Sequence, residues 1–355
     1  MIKRLDSNHP SFGSEDCVEL TVNVGVIGLG KMGILHSGIL NSLPDARVGA
    51  LCDKDSLLIS AAKAVLPQTI AFYKDHNRML ENERLDAVFV TTPISTHVPI
   101  VVDLVRANKE VNLFVEKPLA ASSEQARTAC EAVKSLRGVH MVGFQRRFSP
   151  IFQKAKELIE AKAIGDLIFF RAYCFSSDVL RVGHSWRLRS GAGGVLLDLA
   201  PHVLDLLLWF FGEPVVRAAV RRRAYSTEVD DYVHAMLSFQ AGLEGHMDVC
   251  WSTCGFRLPE MSIEVYGRNG VLTVSDDFVK VRVEKGGSYG IGKSETYYKQ
   301  SFDSSVPFLL ADPEFTKEDT TFLSAIHHQR MPDLNFFEAA RVNAIVDLIG
   351  NMSAN

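Results

Sequence analysis

A chain of 355 residues, 47% hydrophobic and 23% charged, can bury a large core and is expected to form a soluble globular protein of two domains. Its formal net charge of −4 offers no general attraction to nucleic acid or an anionic membrane, and no apolar run is long enough to span a bilayer. Six cysteines at 17, 52, 130, 174, 250 and 254 follow no pairing pattern, which fits a reducing cytoplasm.

The segment through Leu20 is polar, lacks the apolar core of a signal peptide and reads as a loose tail. Thr21 to Ile27 is a β-rich run that ends at Gly28-Leu-Gly30-Lys31-Met32-Gly33, after which Met32, Leu35, Ile39 and Leu43 recur at helical spacing until Pro44. This is the strand, glycine turn and helix of a dinucleotide-binding unit. Gly28 permits the tight turn, Gly30 lets a pyrophosphate approach the backbone, and Gly33 lets helix and strand pack closely. Lys31 and Met32, at the helix start, join the glycines as cofactor-binding candidates. A second buried run, Arg47 to Cys52, ends in Asp53, twenty residues beyond Gly33, where an acid would accept hydrogen bonds from the adenosine ribose. The same carboxylate would repel a 2′-phosphate, which favours NAD over NADP; Lys54 beside it leaves NADP open.

The alternation continues through a short strand near Thr69 to Ala71, a strand over Asp86 to Thr92, a helix over Thr96 to Asn108 and a strand over Val111 to Val115. Strands apolar on both faces and separated by helices imply a parallel sheet with helical cover, whose ligands sit at the carboxyl ends of the strands. Two such ends are chemically loaded: Thr91-Thr92-Pro93 followed by His97, and Glu116-Lys117-Pro118. Thr92, Pro93, His97, Glu116 and Lys117 are therefore candidates to line the cofactor. Lys117 beside a nicotinamide would orient a substrate hydroxyl; the other reading is a surface lysine paired to Glu116.

Past Gln145-Arg146-Arg147-Phe148 the pattern changes. A helix from about Ser149 to Ala161 leads through Gly165 into a strand from Leu167 to Tyr173. The loop Val179 to Arg189 holds His184, Trp186 and Arg187, groups that hydrogen-bond or stack on a sugar; the alternative is a loop packed by one tryptophan. Gly193 and Gly194 then open a helix near 194–211, on which Asp198 and His202, four residues apart, share a face that Asp205 extends. A polar stripe on an otherwise apolar helix must meet partners or a cavity. It is either a reaction centre or an internal hydrogen-bonded pair.

Alternating strands follow. Val233, Ala235, Leu237 and Phe239 share one face, Val279, Val281 and Val283 oppose Lys280, Arg282 and Glu284, and Gly267-Arg-Asn-Gly270 signals a hairpin. Arg221-Arg222-Arg223 reads as a solvated or interface feature, because alternate strand residues point oppositely. Cys250 with Cys254 and His327 with His328 lack metal-ligand company, so no metal site is expected. Helices near Asp319 to His328 and Asn335 to Met352 close the chain. The fold class is α/β: a Rossmann dinucleotide-binding domain over 20–145, then an α+β domain with a largely antiparallel sheet over 146–355.

The glycine fingerprint, Thr-Pro with a later His, Glu-Lys-Pro, Gln-Arg-Arg-Phe and Gly-Gly-x3-Asp-x3-His occur in the order found in the glucose-fructose oxidoreductase, inositol dehydrogenase and rhizopine-catabolism (Gfo/Idh/MocA) family, which the chain resembles over nearly its whole length. Ala200, where glycine is frequent, and Gln145, where asparagine is frequent, depart slightly from that pattern. By this resemblance Lys117 matches the family's catalytic lysine, and Asp198 and His202 its acid and histidine. The resemblance implies a nicotinamide-dependent dehydrogenase in which His202 takes the hydroxyl proton of a polyol, sugar or sugar derivative. Arg146, Trp186 and Arg187 are substrate candidates. A redox-neutral NAD-dependent glycosidase and a non-catalytic sensor remain as alternatives. No nucleic-acid or membrane partner is expected. In the family the second sheet often forms a subunit interface, so a cytoplasmic homodimer or homotetramer is expected.

Overall fold

The computed structural model describes residues 21–180, 193–256, 258–284, 292–302 and 312–352. The amino-terminal tail lies outside them.

The first sheet contains β1 (Val22–Ile27), β2 (Ala46–Cys52), β3 (Ala71–Tyr73), β4 (Ala87–Val90), β5 (Asn112–Glu116) and β6 (His140–Gly143). They lie in the order β3-β2-β1-β4-β5-β6, and every neighbouring pair is parallel. Central residues such as Val24, Val26, Phe89 and Phe114 are wholly buried, because helices α1 (Lys31–Ser42), α2 (Ser56–Val65), α3 (His76–Asn82), α4 (His97–Ala107) and α5 (Ser123–Val133) supply the cover. Asp55, Asp75 and Ser122 cap α2, α3 and α5 by accepting from backbone N–H groups of the first turn. The strand order reverses between β1 and β4, the point at whose carboxyl ends sheets of this kind bind their ligands. The short third strand falls two residues later than its sequence pattern suggested.

After α6 (Pro150–Glu160) come β7 (Leu167–Phe175), β8 (Val215–Arg222), β9 (Tyr232–Ser238), β10 (Glu244–Cys250), β11 (Glu260–Gly267), β12 (Gly270–Ser275), β13 (Phe278–Val283) and β14 (Lys293–Tyr298). Their order is β14-β13-β12-β11-β7-β10-β9-β8, antiparallel throughout except where β7 meets β10. The expected alternation holds: Val279, Val281 and Val283 are buried while Arg282 is exposed. Gly267 pairs with Gly270 across the predicted hairpin. Helices α9 (Pro313–His327) and α10 (Phe336–Met352) return to the first sheet, where Val142 N donates to Leu334 O at 2.9 Å.

The helix expected near 194–211 is two: α7 (Gly194–Asp198) and α8 (Ala200–Phe211), joined at Leu199. Pro201, in the first turn of α8, has no N–H to continue the ladder. The His202 N–H turns instead to Leu199 O at 3.2 Å, so the Asp198 carbonyl loses its regular helical donor. Asp205, three residues beyond His202 on α8, is held by Arg147, whose Nε and Nη2 donate to its carboxylate at 2.9 and 2.6 Å.

Candidate active site

The glycine turn is built by crowding on one side and openness on the other. Gly28 has φ +99°, and a Cβ there would stand 2.8 Å from the backbone of Thr91 and Thr92. A Cβ at Gly33 would collide with Gly28 O, at 1.8 Å. A Cβ at Gly30 would meet nothing within 4 Å, so the open side there is free for a ligand. Lys31 is exposed and Met32 half-buried at the start of α1, which has no side-chain cap and no acid in its first turn. That leaves its backbone donors and positive dipole end available to an anion. Asp53 stands against this turn, one oxygen accepting from Leu29 N at 2.6 Å and the other from Asp55 N at 2.8 Å. The cradle fits a dinucleotide: an open glycine for the pyrophosphate, an uncapped helix behind it and an acid beside it.

The ends of β4 and β5 are tied together behind this cradle. Thr91 Oγ1 donates to Gly28 O at 2.7 Å, and Thr96 Oγ1 donates to Thr92 Oγ1 at 2.8 Å. His97 is buried, its ring nitrogens 2.8 Å from Thr92 O and 3.0 Å from Pro118 O, and burial holds its pKa down. The ring therefore braces the two strand ends. Glu116 does not pair with the Lys117 side chain. Its Oε2 accepts from Lys117 N at 3.0 Å, and its Oε1 lies 3.0 Å from His36 Nε2.

The lysine crosses to the other sheet's helices. Lys117 Nζ donates to Asp198 O at 3.0 Å and to Asp198 Oδ1 at 3.3 Å, with the lysine 16% and the carboxylate 25% exposed. The carbonyl it meets is the one released by the break at Leu199. His202 is buried, and its Nδ1 has no hydrogen-bond partner among the described residues. Its pKa is driven well below the ordinary value, first by burial and then by the charges of Lys117 and Arg146. A neutral imidazole is thus kept at neutral pH, ready to accept a proton. Arg146 is itself held by Asp276, Nε to Oδ1 at 3.0 Å. Trp186 and Arg187 lie outside the described residues.

Sequence reasoning missed His36, Asp276, Glu318, Asp319 and the Arg147–Asp205 pair. Two had a visible signal. His36 falls on the inward stripe of α1 after Gly33, and Glu318-Asp319 interrupts the stripe from Phe315 to Phe322 on α9.

A doubly wound sheet with this cradle and a lysine, acid and buried neutral histidine at its carboxyl edge defines the class: a dinucleotide-binding oxidoreductase. Residues 22–144 match the oxidoreductase family with the NAD-binding Rossmann fold, and residues 152–273 match the GFO/IDH/MocA C-terminal domain. The chain belongs to the Gfo/Idh/MocA family and is a nicotinamide-dependent dehydrogenase of the class acting on CH–OH groups. It is 28% identical over 288 residues to scyllo-inositol 2-dehydrogenase (NAD(+)) of Bacillus subtilis (strain 168), covering 77% of this chain and 80% of that one. Myo-inositol 2-dehydrogenase of Thermotoga maritima is 31% identical over 199 residues, 55% of this chain and 56% of its own length. Levoglucosan dehydrogenase in complex with NADH and levoglucosan has a TM-score of 0.82 at 25% identity, covering 94% of this chain and 97% of that one.

Proposed function

We propose that this enzyme oxidises a secondary alcohol on a cyclic polyol, a sugar or a sugar derivative, reversibly, with Lys117, Asp198 and His202 as the catalytic set. The carrying observation is the meeting of Lys117 with Asp198 beside a buried histidine kept neutral by its surroundings. When bound, the nicotinamide supplies the hydride acceptor. His202 takes the hydroxyl proton as the carbonyl forms, and Lys117 donates a hydrogen bond to the same oxygen, stabilising its developing charge. Asp198 anchors the Lys117 ammonium and fixes a neighbouring hydroxyl of the substrate or the orientation of His202.

Gly28, Gly30, Lys31, Met32, Gly33, Asp53, Thr92, Pro93 and Glu116 form the cofactor side, with His97 bracing it from behind. The position of Asp53 against the glycine turn supports NAD over NADP. Arg146 borders the substrate side through its charge on His202. The related inositol and levoglucosan dehydrogenases support a ring-shaped polyhydroxy substrate.

The division into a cofactor domain over 20–145 and a substrate domain over 146–355 follows the two sheets. A second copy on the open face of the larger sheet would cover Phe169 and Met236, 37% and 50% exposed there. The protein then acts as a cytoplasmic homodimer or homotetramer.

The test is formation of reduced nicotinamide, with NAD and NADP in parallel, across inositols, aldoses, anhydrosugars, sugar acids and nucleotide sugars. Turnover with NAD on one ring polyol class supports the reading. Tight NADH binding without turnover on any compound overturns it and directs the next assay to glycoside cleavage.

A further inference from the structure

Behind Lys117 lies a second polar cluster, of which only Glu116 also belongs to the cofactor side. His36 of α1, Glu116 at the end of β5, and Glu318 and Asp319 of α9 converge there, exposed by 0%, 8%, 0% and 0%. Three carboxylates face one imidazole, and among the described residues no lysine or arginine side chain pairs with Glu116, Glu318 or Asp319. The rest of the wall is aromatic, with the Phe89 and Phe114 rings 5.4 and 5.1 Å from that of His36. Ionised carboxylates packed this densely away from water require compensating positive charge.

The geometry specifies where that charge would sit. Asp319 lies 2.8 and 3.0 Å from His36 Nδ1 and accepts its hydrogen bond, so an ion that displaces the Nε2 proton would find the Nε2 lone pair already aimed at it. Nε2 stands 3.0 Å from Glu116 Oε1. Two donors about 2.1 Å from a shared ion are separated by about 3.0 Å at the right angle of an octahedron and by about 3.4 Å at the tetrahedral angle. One ligand atom from each of His36, Glu116 and Glu318 lies within 4.8 Å of the other two. Both Glu318 oxygens are buried without a hydrogen-bond partner among the described residues.

We propose that His36, Glu116 and Glu318 hold one divalent cation of the zinc or manganese type, with Asp319 orienting the imidazole. One imidazole and two carboxylates are a nitrogen and oxygen donor set suited to these ions. The ion would join the helix α1 behind the glycine turn, the end of β5 next to Lys117, and helix α9. Its role is structural, since its ligands are buried and come from three separate elements. The rival arrangement neutralises Glu318 with a proton, and glutamine, which has the shape of a protonated glutamate, separates the two.

The full-length wild type and Glu318→Gln would be expressed in minimal medium with and without added Zn2+ or Mn2+, washed with chelator and assayed for metal by mass spectrometry. The proposal expects about one retained ion per wild-type chain. It expects loss of that ion in Glu318→Gln, and a higher thermal midpoint for wild type from supplemented cells. Wild type that retains no metal under either supplement overturns it, as does Glu318→Gln that keeps the same stoichiometry. NADH binding by fluorescence checks that the variant is folded. If the variant is insoluble, X-ray absorption on the wild type decides: imidazole and oxygen ligation supports the site, and sulfur ligation overturns it.

Discussion

Two histidines, His36 on α1 and His202 on α8, are both sealed from solvent at 0% and 7% exposure, and their surroundings push them in opposite directions. Burial alone would discharge either ring. At His36, with no ion beside it, that penalty is outweighed by Asp319 and Glu116, and the pKa rises well above the ordinary value. At His202 burial is reinforced by Lys117 and Arg146, and the pKa falls well below it. Depth in the protein therefore says little about a histidine's charge; the sign of its neighbours decides. A negative pocket gathers positive charge and becomes a fastening, and a positive pocket repels it and leaves a base.

The largest effect is expected where the base is removed. His202→Asn should lower kcat by about 10²- to 10⁴-fold with NADH affinity unchanged, read by steady-state kinetics and fluorescence titration. An unchanged kcat would remove His202 from the chemistry and break the comparison at once. On the other side of it, His36→Leu leaves Glu116 and Asp319 facing each other without their shared partner. Stability should fall by about 3–5 kcal/mol in urea unfolding, the range for breaking a buried charge pair. A change near zero would mean that His36 fastens nothing.

His140 sharpens the comparison as a buried ring without a charged partner among the described residues. Its Nδ1 accepts from Phe336 N at 3.1 Å, and burial pushes its pKa down to about 4. The unfolded chain takes up a proton near pH 6.5 and the folded one only near 4, so this residue's contribution is present at neutral pH and lost as pH falls between those values. The loss should reach about 3 kcal/mol, and His140→Gln should show a shallower acid limb in unfolding titrations. The smallest effect tests a single neighbour. Lys117→Met withdraws one of the two cations that hold His202 neutral, so the acid limb of kcat/KM in its residual activity should move to higher pH than in wild type.

What was legible in the sequence follows from how far apart the partners lie. The glycine turn is set by contacts within one strand, turn and helix, so its spacing announced it, and Asp53 followed from the next strand. Asp198 and His202 were visible as a pair because four residues span little more than one turn, even though Pro201 divides their helix. The break itself was missed, since proline is tolerated in a first helical turn and the glycines placed that turn too early. Lys117 and Asp198 are 81 residues apart, and His36 and Asp319 are 283 apart. No local period encodes such meetings; for the first, the resemblance supplied what spacing did not. The second left only a histidine and an acidic pair on apolar stripes.

The break at Leu199 has one more consequence, for how such an enzyme diversifies. Because Lys117 is anchored in part on a main-chain oxygen, half of its registration with the histidine's segment does not depend on which side chain occupies position 198 or 200. Exchanges such as glycine for alanine at 200 can then accumulate beside the reacting atoms, and the walls of the pocket can explore new polyols while the distance between proton acceptor and ammonium is inherited unchanged.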